Sequence, residues 1–218
     1  MDGRKIFVIG MNKTATVTLH QLFLLNNLKS QHADTTNFPV EWNLDLYDCF
    51  SDNANQLCNN FKMLNEKCQN AIYILNCRSL DSWLLSRLKH GIFHKEEWAI
   101  PKNNVGCCTF WAKIRNKYHL SILEYFKDSP EKLVIVNIEK DKWIEYLCSI
   151  LNLEQTAIDP CHVIPSDPVL HNSIIKDIDT VFLKYKSDRK QLLIDDIELS
   201  NQYLQIYRNN ILPISPQA

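Results

Sequence analysis

A chain of 218 residues has room for one α/β domain, able to bury about 70% of its unfolded surface, and a second complete domain is not expected. Its 24 lysines and arginines against 25 aspartates and glutamates leave a net charge of −1, which gives no general basic field for nucleic acid or an anionic membrane. Eight cysteines without a C-x-x-C pair or a zinc-like Cys/His spacing, a start that runs straight into an apolar strand, and the lack of a run near 20 apolar residues point to a reduced, cytoplasmic protein. No disulfides, metal or membrane span are expected of it.

Lys5 to Ile9 is a short apolar, β-branched run, Gly10 breaks it, and from Thr16 the positions Val17, Leu19, Leu22, Phe23 and Leu24 predict a helix ending near Asn27. A strand, a tight loop and a helix in this order aim the loop's N–H groups and the helix N-terminus at one spot, an anion site before any side chain is counted. Lys13 and the hydroxyls of Thr14, Thr16 and Thr18 add a charge and further donors, so the expected ligand is a phosphate-type group. The spacing is not G-x-x-x-x-G-K-[ST], because Lys13 stands three residues after Gly10 and no second glycine follows.

Lys29 to Ala33 predicts a second short strand. Residues 34–52 read as a polar, irregular stretch whose Phe38, Trp42, Tyr47 and Phe50 argue for an ordered loop. Residues 53–69 predict a helix with Leu57, Phe61 and Leu64 on one face. Ala71 to Cys77 is the strongest strand signal, a nearly continuous apolar run suited to a parallel sheet buried on both faces. It ends at Arg78, where ligands of doubly wound sheets bind, and a guanidinium there suits a phosphate. Ser79 or Asp81 caps the next helix.

Residues 91–108 predict a lid or substrate loop. Thr109 to Phe126 follows as a long helix whose Arg115 and His119, at i and i+4, could line a phosphate pocket or be surface, and are assigned to the surface. Lys132 to Ile138 is another buried strand and Lys142 to Leu151 its helix. A proline-punctuated crossing over 156–172 offers Asn172 as a weak contact. Two helices, about 174–186 and 189–209, form a cap on the sheet or a homodimer contact, and residues 213–218 a disordered tail. The domain reading is thus 1–172 for the α/β body and 173–212 for a C-terminal helical extension.

Lys13-Thr14-Ala15-Thr16-Val17-Thr18-Leu19 after a strand resembles the 5′-phosphosulfate loop of the sulfotransferases, P-K-x-G-T-T-x-L. Asn12 replaces the proline, Ala15 the glycine and Val17 the second threonine. If position 15 needs φ > 0, alanine there costs about 1 kcal/mol. Arg78 with Ser86 eight residues on resembles the family's 3′-phosphate site, R-D-P-x-x-x-x-x-S, with Ser79-Leu80 in place of Asp-Pro. The run from Tyr118 to Leu153, with its E-Y-F, apolar strand and W-x-x-x-L-C-x-x-L, also looks like this family.

The resemblance implies a P-loop α/β/α sandwich with a mainly parallel central sheet. It also implies a 3′-phosphoadenosine 5′-phosphosulfate (PAPS)-dependent sulfotransferase that releases 3′,5′-adenosine bisphosphate (PAP) without a metal. Lys13 would stabilise the leaving phosphate, with Thr14, Ala15, Thr16, Val17, Thr18, Arg78 and Ser86 holding the nucleotide. A carboxylate or histidine after the first helix would be the base, from His32, Glu41, Asp45, Asp48 and Asp52. The segment YDCFSDN favours Asp48, with Asp52 next. The acceptor, a small molecule or glycan, is not readable. The alternatives are a non-catalytic nucleotide-binding or interaction module derived from a sulfotransferase, a P-loop small-molecule kinase, and a plain α/β domain.

Overall fold

A computed structural model describes residues 3–32, 43–52, 56–93, 104–154, 158, 172 and 174–180. In chain order the elements are β1 (Ile6–Val8), α1 (Thr16–Leu25), β2 (Ser30–His32), β3 (Cys49–Ser51), α2 (Gln56–Lys67), β4 (Ile72–Cys77), α3 (Leu80–Phe93), α4 (Asn104–Tyr125), β5 (Leu133–Asn137) and α5 (Trp143–Leu151). The described residues fall into two compact units. One holds those up to Cys77 and from Tyr125 to Ile158, and the other holds those from Arg78 to Glu124 with residues 172 and 174–180.

The first unit is built on a five-stranded sheet ordered β2-β3-β1-β4-β5, with every strand pair parallel. Parallel pairing needs a crossover after each strand, and helices supply the cover that lets both faces stay dry. Side chains alternate across the sheet. Ile6, Val8, Cys49, Ile74, Val134 and Val136 turn to one face, where Leu19, Leu22 and Phe23 of α1 and Leu147, Cys148 and Leu151 of α5 close over them. Phe7, Phe50 and Tyr73 turn to the other. There Phe7 stacks between Phe50 and Tyr73 at 5.0 and 5.4 Å, and Tyr73 meets Phe126, which in turn meets Phe61 of α2. The fold is therefore α/β on a parallel sheet.

Strand β3 lies inside the stretch expected to be an irregular loop. Its signal, Cys49-Phe50-Ser51, is three residues long, too short to register as a period, yet all three are buried. In the second unit α4 begins at Asn104, five residues before the expected start and through Gly106, so part of the anticipated lid is helix. Residues 174–180 are helical, as the C-terminal reading expected of that stretch, and Asn172 is exposed. The rest of that extension, the second C-terminal helix, the tail, the remainder of the lid and Glu41 lie outside the described residues. Among the described residues no helix is long and apolar enough to cross a membrane, and no group of three His, Cys, Asp or Glu side chains is placed to hold a metal ion.

Candidate anion site at the carboxyl ends of the strands

The chain leaves β1 toward β2 on one side of it, whereas β4 leads on to β5 on the other. Between β1 and β4 the order therefore reverses, and the carboxyl ends at such a point form the crevice where α/β sheets bind ligands. Two features join these ends. Gly10 continues β1, and a Cβ placed on it would lie 2.1 Å from Asn76 Oδ1 and 2.3 Å from the Asn76 carbonyl oxygen, so only glycine lets β4 come this close. Asn76 is fully buried. Its Oδ1 accepts the Gly10 N–H at 3.0 Å, and its Nδ2 donates to the Thr14 carbonyl and, at 2.8 Å, to Thr14 Oγ1. Thr14 Oγ1 donates to the Met11 carbonyl. One amide on β4 thereby fixes both ends of the loop that follows β1.

The loop's backbone then does what the residue types do not advertise. Lys13 and Ala15 have φ of 67° and 65°, in the left-handed region, while Thr14 between them does not. Alternation of this kind turns successive N–H groups to one side and makes a concave anion nest. Ala15 is also the N-cap of α1 and makes no side-chain cap bond. The dipole-bearing N-terminus therefore opens onto the nest with no carboxylate or hydroxyl at the capping position. Holding a non-glycine residue left-handed costs roughly 1 to 2 kcal/mol. The buried Asn76 clamp supplies the determination that keeps such strain in place.

Of the two carboxylates in the YDCFSDN segment, the second lies beside the loop. Asp48 precedes β3 at the amino end of the sheet, where its carboxylate accepts the Lys29 N–H at 3.2 Å and lies 3.8 Å from Lys5 Nζ. Its backbone is locked there too, since the Ile6 N–H donates to the Asp48 carbonyl. Four extended residues along the strand span about 13 Å, so Asp48 stands a strand length from the loop. Asp52, at the carboxyl end of β3, is the residue that meets the loop. It is hydrogen-bonded by the Thr16 side chain and sits within the field of Lys13. Burial holds its carboxyl above the ordinary range, with His32, Lys13 and Thr16 acting in the opposite direction. Asp45 is exposed on the segment leading into β3.

Lys13, Thr14, Ala15, Thr16, Val17 and Thr18 share this one turn, and Thr14, Thr16 and Thr18 are buried. Arg78 and Ser86 belong to the second unit, where Ser86 is half-buried on α3. There Arg115 donates from an Nη to the Arg78 carbonyl at 2.7 Å and lies over Trp83, while Arg87 lies over Trp83 and, at 4.6 Å, over Trp111. Arg115 and His119 are not on the surface, as their spacing suggested; they are 7% and 2% exposed. Burial, then the neighbouring Arg115, keeps the His119 imidazole neutral well below its usual range. Asn76, which the sequence reading passed over, thus carries structure. The signal for Asn76 was present, since a lone amide inside a buried apolar strand has to be satisfied by something.

Neither a comparison with models of known protein families nor one with curated proteins finds a match to this sequence.

Proposed function

We propose that the chain is a PAPS-dependent sulfotransferase on a P-loop-type three-layer fold, with the loop from Lys13 to Thr18 holding the 5′-phosphosulfate. The observation that carries this reading is the left-handed, ordinary, left-handed succession at Lys13, Thr14 and Ala15, opening directly onto α1. A nest joined to a helix N-terminus recognises a tetrahedral oxyanion. The resemblance of Arg78 and Ser86 to a 3′-phosphate site narrows that oxyanion to PAPS.

In the proposed reaction the acceptor oxygen attacks sulfur in line, the S–O bond to the bridging phosphate oxygen breaks, and the acceptor proton passes to Asp52. The products are a sulfate ester and PAP. Lys13 stabilises the charge growing on the departing phosphate, and the nest N–H groups hold the group in line, so catalysis rests on positioning and electrostatics. Asp52 takes the base role expected of Asp48, because a base must come within hydrogen-bond reach of the acceptor hydroxyl.

Calorimetric titration with PAP tests the reading. The native protein binds with micromolar affinity. Arg78→Ala weakens binding by about 1.5 to 3 kcal/mol, the worth of a charge-assisted contact, and Lys13→Ala weakens it as well. No detectable PAP binding would remove the assignment. One observation favours a second reading: a loop threonine bonded to a carboxylate at the end of β3 is also an arrangement able to hold Mg²⁺ with ATP, as a P-loop kinase would. Magnesium-dependent ATP binding, with none of PAP, selects it.

A further inference from the structure

The amino acids around Asp52 extend past the base itself. Along β2 and β3 the residues Ser30, His32, Cys49 and Ser51 share one face by strand alternation, through the registers Ser30↔Cys49 and His32↔Ser51. His20 of α1 reaches the same place. Four contacts order the group. His32 Nδ1 is 2.8 Å from Ser51 Oγ, His32 Nε2 is 3.6 Å from Asp52 Oδ2, and the His20 and His32 rings lie 5.1 Å apart, with His20 Nδ1 held 2.8 Å from Ser30 Oγ. Ser51 is fully buried, so its hydroxyl is no nucleophile and serves the imidazole instead.

We propose that His32 is a positioning residue for Asp52, turned by the Ser51 hydroxyl so that its Nε2 edge faces the carboxylate, keeping that carboxylate ionised and aimed. The inference rests on the reading of Asp52 as the base. When Ser51 donates to Nδ1, the neutral ring carries its hydrogen on Nε2, the edge turned toward Asp52; when the ring is protonated the same edge still carries a hydrogen. His20 limits the charge the group holds. Its own imidazole is pushed down by burial and then by His32, so a proton on one ring disfavours a proton on the other. The described titratable and charged groups facing the pair are thus His20 from α1 and Lys13 from the loop, with Thr16, Ser30 and Ser51 as neutral hydrogen-bonding partners.

Carboxylate and imidazole NMR titrations of the full chain test this without any donor or acceptor. In His32→Gln the Asp52 midpoint rises by about one pH unit or more, the effect of removing an opposite charge within about 4 to 6 Å. Coupling is reciprocal, so in Asp52→Asn the His32 midpoint falls by a similar amount. Either variant alone suffices should the other fail to fold. Midpoints that stay where they are in the native protein would overturn the proposal. The two levels separate cleanly: coupled titrations in a protein that never transfers sulfuryl groups uphold the pair and cost the function, whereas independent titrations in an active enzyme do the reverse.

Discussion

Asp48 and Asp52 flank one three-residue strand, and their surroundings have nothing in common. Asp48, at the amino end of β3, is part-exposed and held by Lys5 and the Lys29 N–H. That environment resembles an ordinary surface pair worth under about 1 kcal/mol. Asp52, at the carboxyl end, sits among a loop lysine, a buried threonine and a histidine fixed by a serine. In an all-parallel sheet every strand points the same way, so the residues that follow strands gather at one edge and those that precede them at the other. Chemistry collects at the first edge, and four positions of sequence are enough to change which edge a side chain serves.

The largest effect that would sharpen this contrast is kinetic. Asp52→Asn is expected to lower sulfuryl transfer by about 10²- to 10⁴-fold, the usual worth of a positioned base, with PAP affinity little changed. Asp48→Asn is expected to stay within about twofold of native. Turnover assays with radiolabelled PAPS on a panel of acceptors would read both, and equal losses would erase the distinction between the two edges.

Next comes the clamp at the active edge. Gly10→Ala forces a methyl group into Asn76, and overpacking of that kind costs about 3 kcal/mol. Asn76→Ala leaves the buried Gly10 N–H and the Thr14 carbonyl without their partner, a loss of similar size. Urea denaturation should show both, while Asp48→Asn changes the unfolding free energy by less than about 1 kcal/mol.

A third test uses the sign of the Asp52 shift. A carboxyl whose folded-state pKa is raised above its unfolded value of 3.8 is more readily protonated in the folded chain. Its ionised form therefore costs stability above the folded pKa, and that cost is relieved as pH falls through the folded pKa toward 3.8. Asp52→Asn should then raise the unfolding temperature at neutral pH while lowering turnover, the exchange expected of a functional site. An unchanged or lowered unfolding temperature would argue that burial does not dominate there. The smallest effect is at Ala15. Glycine accepts φ of 65° without a Cβ penalty, so Ala15→Gly should stabilise by about 0.5 to 1 kcal/mol once its unfolded-state entropy is subtracted.

Much of the first unit was legible because its signals are long or locally complete. The apolar run ending in Cys77, the β1-loop-α1 pattern and the strand at 133–137 each carry enough residues to fix their own structure. The sequence also posed the right question about Ala15, whose left-handed backbone is the condition under which alanine is costly. What escaped were features that depend on pairing. Three residues of β3 are strand because β1 and β2 flank them, and Asn76 matters because Gly10 lies beside it. Asp48 and Asp52 fall at opposite edges of the sheet because of strand direction, and Arg115 and His119 are interior because other residues cover a helix face that looks polar in isolation. None of these facts is local, so no window of sequence contains them.

The most direct test of the central claim is an amide chemical-shift map of the labelled protein titrated with PAP. The account predicts that the large shifts fall on residues 10–18, His32, Asp52, Asn76, Arg78 and Ser86, with Lys5, Lys29 and Asp48 unmoved. Shifts centred on Lys5 and Asp48, or saturating binding that leaves residues 10–18 undisturbed, would contradict it.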